Sequence, residues 1–105
     1  MKNSKNIQEK TGTRIKESDI TKKILQYLAD KKHFAFKHWG GMMGRKGVAD
    51  IIGAQNPTGI AFFLEVKTQT GEPSDEQRDF LFDAQAAGAI TGVVRNIDDI
   101  INMGL

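Results

Sequence analysis

The chain has 105 residues, enough for one domain with a single modest core. It contains no cysteine, which excludes disulfides, zinc–thiolate sites, iron–sulfur clusters and cysteine nucleophiles. The net charge of +2 conceals a division: residues 1–46 hold twelve Lys and Arg against four acids, whereas residues 47–105 hold three against nine. A basic half favours a polyanionic partner such as nucleic acid, although an uneven surface without function would show the same balance.

The first residues differ in composition from the rest of the chain. Residues 1–12 are polar, lysine-rich and without periodicity, and we expect them to form a flexible basic arm ahead of a single domain at 13–105. No apolar stretch is long enough to span a bilayer, and the N-terminus has no apolar signal region. An intracellular, cytoplasmic protein that does not enter a membrane is therefore expected.

The first half of the domain predicts one helix followed by three strands. Apolar residues recur every four positions within 13–32, which predicts a helix. An alternating aromatic segment at 33–39 predicts a strand, and the glycine-rich stretch at 40–47 predicts a mobile loop. Apolar segments at 48–53 and 60–68 flank a turn-forming sequence, which predicts a hairpin.

The second half predicts a helix, a strand and a last helix. Ser74 and Gln77 form a capping-box pattern that opens a helix reaching about residue 87. A strand is predicted at 89–95, and Asn96 can cap a short helix after it. The predicted element order is αβββαβα.

Two carboxylates stand in the strands of the predicted hairpin. Asp50 interrupts the apolar segment at 48–53, where it is either partnered by a cation or an ordinary strand-end aspartate that faces solvent or bonds a turn. Alternation places Glu65 and Lys67 on one face of the next strand, although the solvated side of a half-buried strand would look the same. A short connection lets Asp50 and Glu65 converge on one sheet face. Two carboxylates with an ammonium group there suit a hard divalent cation and a nucleophilic water.

Two polar residues lie on helix stripes that should face the core. Glu17 falls in line with the apolar residues of the first helix and should point toward the sheet, although the helix dipole alone also favours a first-turn glutamate. Gln77 precedes Phe80 and Leu81 by three and four residues and so lies on a core-facing stripe. Its position also fits a capping box, and the two roles are compatible.

The remaining chemistry-bearing residues favour structural roles. His33 and His38 lack partners at ligand spacing and are expected to be ordinary core or surface histidines. Trp39 and the phenylalanines are expected in the core rather than on a base-stacking platform. Ser74 has no histidine or aspartate partner, and no phosphate-cradling loop motif is present, so serine-hydrolase and nucleotide-loop chemistry have no support.

Taken in order, Glu17, the GVADIIG segment around Asp50, the LEVK segment at 64–67 and Gln77 at a helix start resemble the PD-(D/E)xK nuclease superfamily. More narrowly, they resemble its VRR-NUC domain, the virus-type replication-repair nuclease module, over about residues 13–99. Ala49 stands where the superfamily name places proline, a position that is not a metal ligand. The resemblance implies a restriction-endonuclease-like α/β fold, with an αβββαβ core and a mixed central sheet flanked by helices.

The resemblance also implies a metal-dependent phosphodiesterase. Asp50 and Glu65 would bind Mg²⁺ or Mn²⁺, with the backbone carbonyl of Val66 as a further ligand. Glu17 would complete the shell directly or through water. Oxygen ligands suit such hard cations, and no small-molecule cofactor is implied.

Two further residues would act in catalysis beside the carboxylates. By the resemblance, Lys67 would orient or deprotonate the attacking water, and Gln77 would position Lys67 or the phosphate. The expected products are a 5′-phosphate and a 3′-hydroxyl. The catalytic set implied in this way is Asp50, Glu65, Lys67 and Gln77.

The resemblance further implies a substrate class and an assembly. Stand-alone members are small, viral or bacterial, and resemble Holliday junction resolvases in forming homodimers. We therefore expect a structure-selective endonuclease for branched DNA that acts as a homodimer in a bacterial or phage-infected cell. The residues expected to hold DNA are the basic ones of the arm and the glycine-rich loop, namely Lys2, Lys5, Lys10, Arg14, Arg45 and Lys46.

Three other interpretations remain open from the sequence. The first is a less selective nickase or flap endonuclease with the same site, and the second is an RNA or nucleotide phosphodiesterase. The third is a DNA-binding protein with a vestigial site. The presence of Glu17, Asp50, Glu65 and Lys67 argues against the third, since binding alone needs none of them.

Overall fold

The computed structural model describes residues 15–41 and 43–105, and its elements follow the predicted order αβββαβα. The α/β fold class is confirmed, because a four-stranded mixed sheet is flanked by helices. The elements are α1 (Glu17–Asp30), β1 (Phe34–Lys37), β2 (Ile51–Ala54), β3 (Ala61–Val66), α2 (Asp75–Ala86), β4 (Ile90–Val94) and α3 (Ile97–Asn102). Within the described residues, no helix combines the length and apolarity needed to cross a membrane.

The sheet has the order β1-β2-β3-β4. The first three strands are antiparallel neighbours, and the predicted hairpin joins β2 to β3. β4 lies parallel to β3, and α2 provides the crossover between them. The register pairs Lys37 with Ile51 and Ile51 with Leu64, so the end of β1, the start of β2 and the end of β3 meet at one end of the sheet.

The two faces of the sheet are covered unequally. On one face, Ile24 and Leu28 of α1 pack in a single buried cluster with Leu64 of β3 and residues of α3. On the other face, α2 contacts β3 and β4, and the ring of Phe80 meets that of Phe63 edge to face with centroids 5.3 Å apart. The alternation predicted along β3 is therefore confirmed.

Helix termini agree with the sequence better than strand ends do. The Ser74 hydroxyl accepts a hydrogen bond from the Gln77 amide, and the Gln77 side chain accepts one from the Ser74 amide, so the predicted capping box is present. Asn96 caps α3 as predicted. The first helix ends at Asp30 instead of residue 32, because Lys32 adopts a positive φ of 67° that no helix can continue.

The strands are shorter than predicted. The segments predicted at 33–39, 48–53, 60–68 and 89–95 form ladders only at 34–37, 51–54, 61–66 and 90–94. Apolar character alone marks where a strand is buried, whereas its ends depend on which neighbouring backbone is within hydrogen-bonding reach. Asp50 thus directly precedes β2 instead of lying inside it.

The expectation that the large aromatics are buried is wrong for β1 and its surroundings. Phe62 is fully buried, but Trp39 is 79% exposed and Phe34 is 67% exposed. Phe34 and Phe36 pair with Ala54 and Ile52 in register, so they lie on the face that α2 covers over β3 and β4. That helix does not extend the cover to the β1 edge, which leaves both rings in solvent.

His33 has the structural role expected of it. Its Nδ1 accepts a hydrogen bond from the Asn56 amide at 2.9 Å, which places the ring proton on Nε2, 3.0 Å from the Leu105 carbonyl oxygen. The imidazole therefore joins the start of β1 to the hairpin turn and to the last residue of the chain.

Candidate active site

Asp50 is held at the start of β2 by its backbone and its side chain together. The His38 amide donates to the Asp50 carbonyl oxygen at 2.7 Å, which extends the β1–β2 pairing by one bond. The Val66 amide donates to Asp50 Oδ2 at 2.8 Å. The carboxylate is thus fixed against the end of β3 by a backbone hydrogen bond, and its role as a cation ligand stays a prediction.

Glu65 is the buried acid of the site. Its side chain is 2% exposed, and the hairpin register continues from Ile51–Leu64 to place it opposite Asp50. Oε2 accepts a hydrogen bond from Gln77 Nε2 at 2.8 Å, whereas Oε1 is buried without a hydrogen-bond partner among the described residues. An unpartnered oxygen of this kind is costly unless a cation or a proton occupies it.

The two carboxyls perturb each other. Burial raises the pKa of the Glu65 carboxyl from 4.5 to about 8, and the neighbouring Asp50 carboxyl contributes to the rise through a hydrogen bond and through charge repulsion. The Lys67 ammonium lowers the pKa of Glu65, and the charge of Glu17 raises it. Two carboxylates this close repel each other when both are ionised, and a cation between them would offset that repulsion.

Lys67 completes the predicted face of β3. Its Nζ lies 3.7 Å from Glu65 Oε2, and its side chain is 15% exposed. The Lys67 amide is bonded to the Val94 carbonyl at 3.0 Å, so the residue continues the β3–β4 pairing by one bond. An ammonium group is therefore placed beside the Glu65 carboxyl.

Gln77 connects the site to the first turn of α2. Its Oε1 accepts from the Ser74 amide, which leaves Nε2 to donate to Glu65. The sequence allowed a capping role and a core-facing role for this residue, and the structure combines them in one amide group. The orientation of Glu65 is thus fixed by the cap of a helix.

Glu17 does not lie where the helical stripe predicted. It is the first residue of α1 and its side chain is exposed, although its charge acts on Glu65. Within residues 15–41 and 43–105, no group of three or more His, Asp and Glu side chains is arranged to hold a metal ion. The helical wheel placed Ile20, Ile24 and Leu28 correctly in the core, but Glu17 on the same stripe is exposed.

The side chains of the site fit a hard divalent cation. The observation that tests this fit is Glu65 Oε1, which is buried and has no hydrogen-bond partner in the described part of the chain, on a residue beside the Asp50 carboxyl. The available donors are carboxylate oxygens with the adjoining Val66 peptide, which is the donor chemistry that Mg²⁺ and Mn²⁺ prefer. Asp50 and Glu65 are therefore suited to hold such an ion, and Glu17 could act only from the rim.

The glycine-rich loop forms an open pocket beside Asp50. The pocket has a volume of about 380 Å³, and its lining includes His38, Arg45, Lys46 and Asp50. Arg45 is held within it by an ion pair with Asp83 at 2.9 Å. Lys46 is exposed, so the loop presents basic side chains around the entrance to the carboxylates.

The anchoring of this loop was missed at the sequence level. The Arg45 guanidinium lies 5.1 Å from the centre of the Phe80 ring as well as beside Asp83, which ties the loop to α2. Gly47 has a φ of 78°, and a Cβ there would collide with the Glu76 backbone. In the sequence, the only feature that singles out Gly47 is its position in GRKGVAD. The residues around it do not indicate that the loop packs on the turn that holds Gln77. The predicted DNA contacts Lys2, Lys5, Lys10 and Arg14 lie outside the described residues.

The mixed sheet brings Asp50, Glu65 and Lys67 together at one end. Among solved structures, one described as a VRR_NUC domain resembles this chain with a TM-score of 0.71 at 22% identity, over 86% of this chain and 95% of its own. A second, described as a VRR_NUC domain protein, has a TM-score of 0.66 at 15% identity, over 86% and 85%. No family model and no curated protein matches the chain. The chain therefore has the VRR-NUC fold that its motifs resemble.

Proposed function

We propose that the protein is a Mg²⁺- or Mn²⁺-dependent endodeoxyribonuclease that hydrolyses phosphodiester bonds in branched DNA. The observation that carries the proposal is the opposition of Asp50 and Glu65, with Glu65 Oε1 buried and unpartnered and the Lys67 ammonium 3.7 Å from Oε2. The fold is that of two proteins described as VRR_NUC domains, a name that supports a nuclease.

Asp50 and Glu65 would hold the cation, with the Val66 carbonyl as a further ligand and Glu17 acting through water. When bound, the ion supplies charge that polarises the phosphoryl oxygen and lowers the pKa of a water. Gln77 keeps Glu65 in one orientation through the 2.8 Å bond to Oε2. That role makes Gln77 a positioning residue.

Lys67 would act on the reacting groups themselves. Its ammonium group stands beside the carboxyls at the sheet end, where it can hold the attacking water and balance the negative charge that develops on the phosphate. The basic loop with Arg45 and Lys46 gives the DNA backbone a positive approach to Asp50. The N-terminal arm would add phosphate contacts.

Branched DNA with two-fold symmetry would be matched by a homodimer that presents two such sites. We propose that the protein acts as such a homodimer and that it does so inside the cell. Light scattering measures it directly: a monomer mass at working concentration would remove the two-site mechanism and leave the cleavage chemistry intact.

The test compares a labelled four-way junction with linear duplex of the same sequence, in Mg²⁺, Mn²⁺ and EDTA. Wild type, Asp50→Asn and the matched control Asp98→Asn are assayed together, because Asp98 is an exposed acid on α3 outside the site. Paired cuts in the junction alone, lost in EDTA and in Asp50→Asn but kept in Asp98→Asn, are expected.

Other outcomes discriminate between the alternatives. Equal cutting of both substrates would support the nuclease but contradict its selectivity for branched DNA, and would favour a less selective nickase or flap endonuclease with the same site. Cutting of RNA in place of DNA would reassign the substrate. Absence of cutting in either metal, with binding unaffected by Asp50→Asn, would replace the enzyme by a DNA-binding protein.

A further inference from the structure

The edge of the sheet beside the candidate active site carries aromatic side chains in solvent. Phe34 is 67% exposed and Phe36 is 45% exposed, and their rings meet edge to face with centroids 5.8 Å apart. Trp39 follows β1 by two residues and is 79% exposed. Large aromatics exposed together on a small domain mark a binding surface more often than they occur by chance. We call these three residues the aromatic edge.

The charged residues of the chain segment that carries the aromatic edge are all basic. Lys37 Nζ lies over the Trp39 ring, 4.8 Å from its centroid. Residues 31–46, which contain the aromatic edge, hold five Lys and Arg and no Asp or Glu. Aromatic rings among cations are the combination that binds single-stranded nucleic acid, because the rings stack on bases while the cations neutralise phosphates. The core of a protein–protein interface, in contrast, is depleted in lysine.

The aromatic edge begins at the catalytic carboxylate. His38 lies between Lys37 and Trp39, and its amide donates to the Asp50 carbonyl at 2.7 Å. β1 forms an outer strand of the sheet, and its last residues lie nearest Asp50. The register places Phe34 and Phe36 on the same face as Glu65, whereas Trp39, stacked on Lys37, stands at the end of β1 toward the other face. A strand with a phosphate at Asp50 and Glu65 would therefore have Phe36 and Phe34 on one side of its flanking nucleotides and Trp39 at the end of β1.

We propose that the aromatic edge stacks unpaired nucleobases next to the scissile phosphate. The proposal rests on the proposed nuclease function and deepens it, because it makes a single-stranded segment beside the cut part of the substrate. Bases paired inside a continuous duplex present no free face to the rings, so the preference for branched or gapped DNA would arise at this edge. The carboxylates would supply the chemistry without any such preference.

The chain offers a direct reporter, since Trp39 is its only tryptophan. Tryptophan fluorescence is measured in EDTA, where no cleavage occurs, during titration with oligothymidylate, with an abasic strand of the same length and with blunt duplex. A base stacked on the indole quenches its emission. Saturable quenching by oligothymidylate, and little by the abasic strand or the duplex, is expected.

Affinity is measured separately from the anisotropy of labelled strands. Trp39→Ala should weaken binding of oligothymidylate by about 5- to 100-fold and leave the abasic strand unaffected, since one base–aromatic stack contributes ~1–3 kcal/mol. The matched control is Phe82→Ala, which removes a ring that is 71% exposed on α2, a helix that contacts β3 and β4. Because both rings are exposed, neither variant should lose the fold, and thermal unfolding verifies this.

Equal quenching by the abasic strand and the oligothymidylate would overturn stacking and reduce the edge to a phosphate contact. Absence of quenching, together with a dimer that Trp39→Ala dissociates, would assign the aromatic edge to a second copy of the chain instead. The two proposals fail separately. Loss of quenching leaves metal-dependent cleavage intact, whereas a protein without nuclease activity can still show base-dependent quenching in EDTA.

Discussion

The two carboxyls and the aromatic edge are neighbours, joined through one hydrogen bond from His38 to Asp50, yet they are built in opposite ways. Glu65 is buried and its orientation is determined by α2, β2 and Lys67 at once. Trp39 is 79% exposed, with the Lys37 ammonium over its ring. The carboxyls are therefore held by side chains from several elements, whereas the rings of the aromatic edge are mostly in solvent.

The difference has a physical reason in what each region must do. Ligands of a cation have to be fixed in place before the ion arrives, and neighbouring elements must keep two repelling carboxylates together. A surface that stacks bases needs rings that are accessible and adaptable. Changes at the carboxyls should therefore alter rate and stability, whereas changes at the edge should alter affinity alone.

The largest expected effect follows from Glu65→Gln. The variant retains the shape of the side chain and a partner for Gln77 but removes the charge that would hold the cation. Cleavage should fall by about 10³-fold or more, as when a group that stabilises the transition state is lost. Binding of oligothymidylate in EDTA should remain unchanged. A loss of strand binding equal to the loss of cleavage would contradict the division between the two regions.

The same residue should make stability depend on pH in EDTA. Because folding raises the pKa of Glu65 from 4.5 to about 8, the folded protein binds more protons than the unfolded chain between these values. The contribution of Glu65 to the free energy of unfolding should therefore be greatest below pH 4.5 and should fall as the pH rises to about 8. Each 1 kcal/mol lost lowers the Tm by about 4–8 °C.

The control for that pH dependence is Glu65→Gln, which cannot ionise. Its Tm should exceed that of the wild type at pH 8 in EDTA, and Mn²⁺ should raise the Tm of the wild type only. Parallel Tm profiles for the two proteins between pH 5 and pH 8 would show that Glu65 is not the group responsible.

An intermediate effect is expected at Gln77, whose side-chain amide both caps α2 and orients Glu65. Gln77→Ala should lower cleavage by about 10- to 100-fold, as loss of a residue that orients a ligand does. It should also lower the free energy of unfolding by ~1 kcal/mol through the cap. Ser74→Ala is the matched control, since it removes a capping bond and leaves the 2.8 Å bond to Glu65. Equal loss of cleavage in both variants would assign the effect to the helix start alone.

The smallest effect belongs to the loop. Arg45 and Asp83 are both more than half exposed, so Arg45→Ala should cost under about 1 kcal/mol of stability. If Arg45 contacts a phosphate, the negative slope of log affinity against log salt concentration should be less steep in Arg45→Ala than in the wild type, by about 1. Asp83→Ala breaks the same ion pair but keeps the Arg45 guanidinium, so the salt dependence of its DNA affinity should be as steep as that of the wild type. Identical slopes for wild type and Arg45→Ala would remove Arg45 from the DNA contacts.

Much of the architecture could be predicted because it depends on local signals. The 3.6-residue and 2-residue periodicities separated helices from strands, the Ser74 box and Asn96 located two helix starts, and the DIIG and LEVK segments resembled one nuclease fold. Alternation along β3 also separated Glu65 from the core-facing Leu64. These features are properties of neighbouring residues along the chain, so the sequence by itself determined them.

Other features depend on how the elements meet, and only the tertiary structure decided them. The hairpin register placed Asp50 opposite Glu65, and Glu17 is exposed although it falls on the apolar stripe of α1. The aromatic residues at β1 were expected in the core, yet α2 covers β3 and β4 and leaves that edge in solvent. Hydrophobicity indicates which side chains would gain from burial, but burial also requires a second element above them, and that is decided by packing across the whole domain.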